Sequence, residues 1–94
     1  MEKVNFELSG IVTRISKLEQ IRRTVKPDLY KKVLSIETLD GQTLFVEIRN
    51  NNLKMLEREG VEESSLVKIT YTFQGTEKGD KVYNNIVVSS ITKI

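Results

Sequence analysis

The stretch that decides the fold is YKKVLSIETL at residues 30–39, followed by Asp40-Gly41 and then by QTLFVEIR at residues 42–49. Apolar and polar residues alternate in both arms. An Asp-Gly pair between two alternating arms is the strongest short-range signal for a β-hairpin. Successive side chains of a strand point to opposite faces, so we expect one face of the hairpin to be buried. The residues of that face are Leu34, Ile36, Leu44, Val46 and Ile48.

The opposite face of the hairpin is polar but contains an aromatic ring. Its residues are Lys31, Val33, Ser35, Thr43, Phe45, Glu47 and Arg49. If the alternation holds, Phe45 faces solvent on the same side as Arg49. The alternative is a register displaced by one residue, which would turn over every side chain and bury Phe45. An exposed ring beside cationic side chains is the main functional signal in this sequence.

The chain before the hairpin is predicted to form one strand and one loop. Residues 4–17 predict a strand whose apolar residues change faces near Gly10, as at a bulge or a sharp bend. Such a bend lets one strand contribute to two parts of a small barrel. Residues 18–29 predict a long, partly mobile loop, because Pro27 interrupts any long helix.

The chain after the hairpin is predicted to form one helix and two strands. Residues 50–52 are asparagines, which favour helix N-caps, and the apolar residues after them predict one short helix ending near Gly60. We expect this helix to cover one end of the core. Residues 66–74 and 82–94 predict two strands joined by a turn over residues 75–81. The apolar residues of the last strand change faces, which predicts a second irregularity.

The predicted order is therefore three strands, one short helix and two strands. This is the order of elements in the OB-fold, a partly open five-stranded Greek-key barrel. The competing architecture is a small β-sandwich, which usually needs about seven strands. The barrel is favoured because it removes most strand edges and uses the bent first strand. We expect one all-β domain over residues 1–94.

The composition excludes several classes of site. The chain of 94 residues contains no cysteine and no histidine, so disulfides, thiolate metal sites and the commonest general base are missing. Glu37 and Glu47 are a candidate carboxylate pair across the hairpin, but without a nucleophile or a third metal ligand a salt-bridge network is the favoured interpretation. We predict no enzyme activity, no cofactor and no metal. No window suits a membrane span or a signal peptide, so we expect a cytoplasmic protein.

Positive charge is concentrated in one part of the chain, although the net charge is only +2. Seven basic and two acidic residues lie between Arg14 and Lys32, whereas acidic residues outnumber basic ones elsewhere. A basic stretch in an otherwise slightly acidic protein suggests a binding site for a polyanion. The alternative is a solvated loop that happens to be basic.

Several short motifs, taken in order, resemble a known family. They are Gly10, Tyr30-Lys31-Lys32, Ile36-Glu37-Thr38, Glu47-Ile48-Arg49, Phe73-Gln74-Gly75 and Tyr83-Asn84-Asn85-Ile86. From about Phe6 to Ile94 the chain resembles a small family of OB-fold proteins from Bacteroides-type bacteria and their phages, formerly a domain of unknown function. The resemblance implies a compact single-stranded DNA-binding protein. One departure is Arg49-Asn50, where the family has an aromatic residue and a glycine. An arginine plane can still stack on a base and contact phosphate.

Binding of a single strand needs a positive groove for the phosphates and flat side chains that stack on bases. In an OB-fold the groove crosses the second and third strands, flanked by the loop after the first strand and the loop between the last two. The residues predicted there are Arg22, Arg23, Lys26, Tyr30, Lys31, Lys32, Phe45, Arg49, Lys78, Lys81 and Tyr83. Tyr71 and Phe73 are predicted in the core instead. The sequence thus predicts non-catalytic, sequence-tolerant binding of single-stranded DNA in replication, recombination or repair.

Some of these assignments have alternatives. Tyr30 and Tyr83 would each also suit an end of the barrel. Lys31 and Lys32 point to opposite faces, so at most one of the two lies in the groove. RNA binding and an OB-fold protein-interaction module are the alternative functions. A homodimer or a homotetramer, paired through a strand edge, is compatible with the sequence.

Overall fold

The computed structural model describes residues 4–94, apart from the side chain of Lys78. The elements in chain order are β1 (Phe6–Ile15), β2 (Glu19–Ile21), β3 (Leu29–Thr38), β4 (Thr43–Arg49), a 3₁₀ helix (Asn50–Leu53), α1 (Lys54–Arg58), β5 (Leu66–Lys78) and β6 (Lys81–Lys93). No helix among residues 4–94 is long and apolar enough to cross a lipid bilayer.

β3 and β4 form the predicted hairpin. They pair antiparallel with Leu34 opposite Val46. Gly41 makes the turn with a φ of 86°, a left-handed conformation that glycine adopts without a steric penalty. The register places the alternating apolar residues of both arms on one side of the hairpin, as the sequence predicts.

The sheet curls and closes on itself around this hairpin. β1 pairs with β5 and also with β3, and β6 pairs in parallel with β4 at Val87 and Glu47. The order β1-β5-β6-β4-β3 therefore returns to β1, which is the closed arrangement of a Greek-key barrel. The predicted all-β OB-fold, with its short helical segment between β4 and β5, is confirmed.

The closed sheet encloses an aliphatic core. Its largest fully buried side chains are Leu34, Ile36, Ile48, Ile69, Val12, Val46, Val67 and Val88. Leu44 packs against this cluster, so all five residues predicted on the inner face of the hairpin contribute to the core. Leu56 of α1 belongs to the same cluster, and Leu53 and Met55 pack against it.

A bulge in β1 explains why its apolar residues change faces. The register of β1 against β3 shifts between Val12 and Arg14, which leaves Thr13 as an extra residue. The Thr13 hydroxyl donates a hydrogen bond of 3.2 Å to the Ser35 carbonyl of β3. Because of the extra residue, Val12 and Ile15 both contact the core although their numbers differ by three.

β6 contains the second predicted irregularity. The register of β5 against β6 shifts between Thr70 and Tyr71, so Ser89 is the extra residue on β6. The Ser89 hydroxyl donates to the Thr70 carbonyl at 3.0 Å. Val88 and Ile91 consequently both belong to the core cluster.

Residues 18–29 are more ordered than the predicted loop. They contain the short strand β2, which pairs with the first residues of β3, with Gln20 opposite Tyr30. β2 gives the backbone groups at the start of β3 hydrogen-bonding partners, which an extended strand requires. The structure therefore has six strands, one more than the sequence predicts.

The last two strands form a longer hairpin than predicted. β5 and β6 pair as far as Lys78 and Lys81, so the turn is confined to the two residues between them. Along β5 the side chains change from the buried Ile69, through the half-buried Tyr71, to Phe73, which is 56% exposed. The prediction that Phe73 belongs to the core is wrong, because the hairpin has left the barrel at that point.

The helical segment begins differently from the prediction. The residue that precedes it, Arg49, makes no side-chain capping hydrogen bond. Asn50 has a φ of 50°, and its Oδ1 accepts a hydrogen bond of 3.1 Å from the Tyr30 amide. The asparagine therefore fixes the end of β4 to the start of β3 instead of capping a helix. Gly60, with a φ of 64°, follows the segment as predicted.

Candidate functional site

The outer face of β4 carries the exposed ring that the sequence predicts. Phe45 is 64% exposed, whereas its neighbours at 46 and 48 are fully buried. Strand alternation places Glu47 and Arg49 on the same outer face, roughly 7 and 13 Å further along the strand. The predicted outward orientation of Phe45 is confirmed, and the alternative register with a buried ring is wrong.

A charged network lies next to this ring. Lys31 Nζ donates to Glu47 Oε1 at 2.6 Å, and Arg49 Nη2 donates to Glu47 Oε2 at 3.2 Å. Arg49 Nη1 also donates to Gln74 Oε1 on β5 at 2.8 Å. Two of the predicted cations are therefore held in fixed positions by one carboxylate and one amide, and Glu47 takes part in a salt-bridge network.

A groove of about 350 Å³ opens beside Arg49. It is lined by Arg23, Leu29, Arg49, Asn50, Asn51, Asn52, Gln74 and Val87. Leu29 and Val87 are buried but do not belong to the main core cluster, so they form an apolar floor of the groove. The groove thus joins an apolar surface to arginine and amide groups, which suits an unpaired nucleotide with its base and its phosphate.

The hairpin of β5 and β6 contributes Tyr83 and Lys81 to this side of the molecule. Tyr83 is half-exposed and lies opposite Thr76. By strand alternation it shares a face of the hairpin with Gln74 and Val87, which line the groove. Lys81 is exposed two residues before Tyr83 on the same face. The side chain of Lys78 lies outside the part of the chain that the structure describes.

The connection between β2 and β3 carries the remaining predicted cations. Arg22, Arg23 and Lys26 are all exposed. Arg23 lines the groove, and its Nε donates to the Pro27 carbonyl at 2.9 Å, which ties the side chain to its own loop. The loop therefore brings positive charge to the rim of the groove.

Tyr30 and Lys32 are not brought together with the other site residues. They share the face of β3 opposite to Lys31, because successive side chains alternate. The Tyr30 hydroxyl accepts a hydrogen bond of 3.3 Å from Gln20 of β2. Lys31 is the lysine of the pair that lies on the face of Phe45.

Leu29, Gln74 and Val87 line the groove, although the sequence patterns do not predict them as site residues. Gln74 stands in one of the short motifs, but its contact with Arg49 joins residues 25 positions apart, which no local pattern predicts. Leu29 and Val87 did leave a signal, because each is an apolar residue out of phase with the core residues of its strand. Such residues indicate a second apolar surface outside the main core.

The carboxylate pair considered for catalysis is not formed. Glu37 lies opposite Thr43 and Glu47 lies opposite Val33, so the two carboxylates are at different ends of the hairpin. In the described part of the chain, no group of three or more acidic residues is arranged to hold a metal ion.

A second group of aromatic residues lies on β1 and β5, on the same face of these strands as Leu8 and Ile69. The ring centroids of Phe6 and Tyr71 are 5.7 Å apart, and those of Phe6 and Phe73 are 5.4 Å apart. Phe6 and Phe73 are both exposed. Phe6, Tyr71 and Phe73, called the aromatic patch below, form an apolar surface on β1 and β5.

Comparison with solved structures shows which folds this chain is similar to. The mitochondrial single-stranded DNA-binding protein Rim1 of S. cerevisiae superposes with a TM-score of 0.64 at 11% identity, covering 99% of this chain and 97% of Rim1. A second crystal form of Rim1 gives a TM-score of 0.60 at 16% identity, covering 100% and 96%. The dimeric N-terminal domain of PriB from Thermoanaerobacter tencongensis gives 0.58 at 17% identity, covering 96% and 94%. At these identities the likeness establishes the fold alone. No protein family and no curated protein matches the sequence.

Proposed function

We propose that this chain is a non-catalytic, sequence-tolerant binder of single-stranded DNA that acts in the cytoplasm during replication, recombination or repair. The observation that carries the proposal is Phe45, an exposed ring on the same outer face as Lys31 and Arg49. The similarity in fold to Rim1, a single-stranded DNA-binding protein, supports it.

The mechanism combines stacking with neutralisation of phosphates. Bases stack on Phe45 at one end of the face and on Tyr83 at the other, each contact contributing about 1–3 kcal/mol without regard to sequence. The phosphates pass the cations of the groove and its rim, with Arg22, Arg23 and Lys26 on one side and Lys81 on the other. Tyr30 and Lys32 lie on the opposite face of β3 and do not contact the nucleic acid in this mechanism.

A titration against oligo-dT at several salt concentrations tests the proposal. Binding should weaken steeply with salt, because phosphate contacts release condensed counterions, with a slope of roughly −0.7 per contact in a plot of log K against log salt. Undetectable binding at low salt, or binding that does not depend on salt, would overturn the proposal.

The same titration with other ligands separates the alternatives. Equal affinity for oligo-U assigns the site to single strands of either sugar, because stacking does not distinguish ribose from deoxyribose. Equal affinity for duplex DNA would argue against base stacking, since the bases of a duplex are not free to stack on Phe45 and Tyr83. No binding to any nucleic acid would favour the protein-interaction module.

We also propose that the aromatic patch joins two copies of this chain. Exposed aromatic residues next to one another favour protein contacts over water. From Phe6 to Ser9, β1 pairs with β5 but not with β3, so one edge of this half-strand is open for pairing within the described structure. The fold is similar to that of the PriB domain, whose structure is dimeric. A homodimer is the smallest assembly that covers the patch.

A further inference from the structure

Glu47 is an unusual residue for the surface of a nucleic-acid site. It lies on the outer face of β4 but is only 7% exposed. Its two carboxylate oxygens accept separately from two cations, Lys31 at 2.6 Å and Arg49 at 3.2 Å. The two cation side chains are each 19% exposed and that of Glu47 is 9% exposed. An anion held between two cations in this way has the charge and the hydrogen-bonding geometry of a backbone phosphate.

We propose that Glu47 is an internal competitor of the nucleic-acid backbone, which lowers the affinity of the groove for single strands. This inference rests on the proposed function. With Glu47 ionised, Lys31, Arg49 and Glu47 together carry one net positive charge. The cluster therefore neutralises about one phosphate, although it contains two cations that lie on the binding face.

The geometry explains why Glu47 competes effectively and Glu37 does not. Partial burial lowers the local dielectric constant, so the ion pairs of Glu47 are less screened than pairs in water. Glu37 is on the outer face of β3 but is exposed. Among the side chains that the structure describes, it has no ion pair. Glu37 and Glu47 therefore lie on the same outer face, and Glu47 is the one that forms ion pairs with Lys31 and Arg49.

The test compares Glu47→Gln with Glu37→Gln in titrations against oligo-dT. Glu47→Gln frees one positive charge, so the slope of log K against log salt should steepen by about 0.7. The same relation gives about fivefold tighter binding at 0.1 M salt. Glu37→Gln removes the same formal charge without freeing a cation, and it should leave the slope unchanged.

The folded state of the variants needs its own control. Removing one partner of a partly buried ion pair lowers stability, so binding is measured below the unfolding midpoint of each variant, determined by circular dichroism. Glu47→Thr is a second variant without the charge, and threonine has a high preference for strands. Glu47→Gln and Glu47→Thr should both bind more tightly than the wild type.

The outcomes distinguish this inference from the proposed function. If the wild type does not bind oligo-dT, the proposed function fails. A second outcome is that the wild type binds, but folded Glu47→Gln and Glu47→Thr bind equally or more weakly, with an unchanged slope of log K against log salt. In that case Glu47 positions the two cations and does not compete. That result would overturn the inference and leave the proposed function intact.

Discussion

At the scale of single residues, the site depends on the alternation of side chains along β4. Val46 and Ile48 occupy the core, and the residues between and beside them must point outward. Phe45 is thereby held on the surface by the packing of its neighbours and not by contacts of its own. Removing a ring placed in this way should lower the stability of the fold only slightly. The exposed ring is also free to stack on a base.

Phe45→Ala should weaken binding to oligo-dT by about 1–3 kcal/mol, or roughly 5- to 150-fold, because one stacking surface is lost. The free energy of unfolding should change by no more than about 0.5 kcal/mol, since the ring is exposed. Fluorescence titration and urea denaturation measure the two effects. Phe45→Tyr keeps the flat ring and should bind like the wild type. Normal binding by the alanine variant would remove Phe45 from the site.

Gly10 is needed for close packing and not for the bulge, which is at Thr13. A Cβ atom at Gly10 would lie 2.6 Å from the Glu37 carbonyl oxygen and 2.6 Å from Ile36 Cγ2. Gly10→Ala should therefore lower the free energy of unfolding by about 1–3 kcal/mol, as overpacking does. Gly75→Ala is the matched control, because the nearest atom to its Cβ would be Asn84 Oδ1 at 3.9 Å. Equal stability of the two variants would contradict this account.

At the scale of elements, two connections carry positive charge to the groove. The loop between β2 and β3 is fixed at both ends by the pairing of these strands. The hairpin of β5 and β6 is fixed by its own ladder and by the contact of Gln74 with Arg49. Arg23 of the loop and Gln74 of the hairpin both line the groove, so a bound strand should contact both elements.

The double variant Arg22→Gln, Arg23→Gln tests the contribution of the loop. Two lost phosphate contacts should make the salt dependence shallower by about 1.4 in the slope. The control is Lys54→Gln, Arg58→Gln on α1, which removes two exposed cations from the helix. Isothermal titration at several salt concentrations measures both. If the two double variants change the slope equally, the effect comes from the total charge and not from the loop.

At the scale of the whole molecule, the structure has two exposed surfaces that contain aromatic rings. One is the groove with its cations and exposed ring, and the other is the aromatic patch on β1 and β5. On β5 the two surfaces lie on opposite faces of the strand, because Gln74 lines the groove and the adjacent Phe73 belongs to the aromatic patch. The proposed nucleic-acid site and the proposed dimer contact therefore use different faces of β5.

Phe6→Ser with Phe73→Ser should convert a dimer into a monomer, because both rings of the proposed contact are lost. Sedimentation equilibrium gives the mass directly. Phe45→Ser removes a similarly exposed ring from the outer face of β4 and should leave the dimer intact. A wild type that is monomeric at high protein concentration would contradict the proposed assembly.

The sequence by itself determined the hairpin of β3 and β4, its inner and outer faces, the two irregular strands and the OB-fold. These features depend on local alternation and turn chemistry, which each strand carries without knowledge of its neighbours. The burial of Glu47, the meeting of Leu29 with Val87 in one groove, and the exposure of Phe73 were decided only by the tertiary structure. Each depends on which strands become neighbours when the sheet closes, and on how far β5 and β6 extend past the barrel. No local pattern encodes these distances.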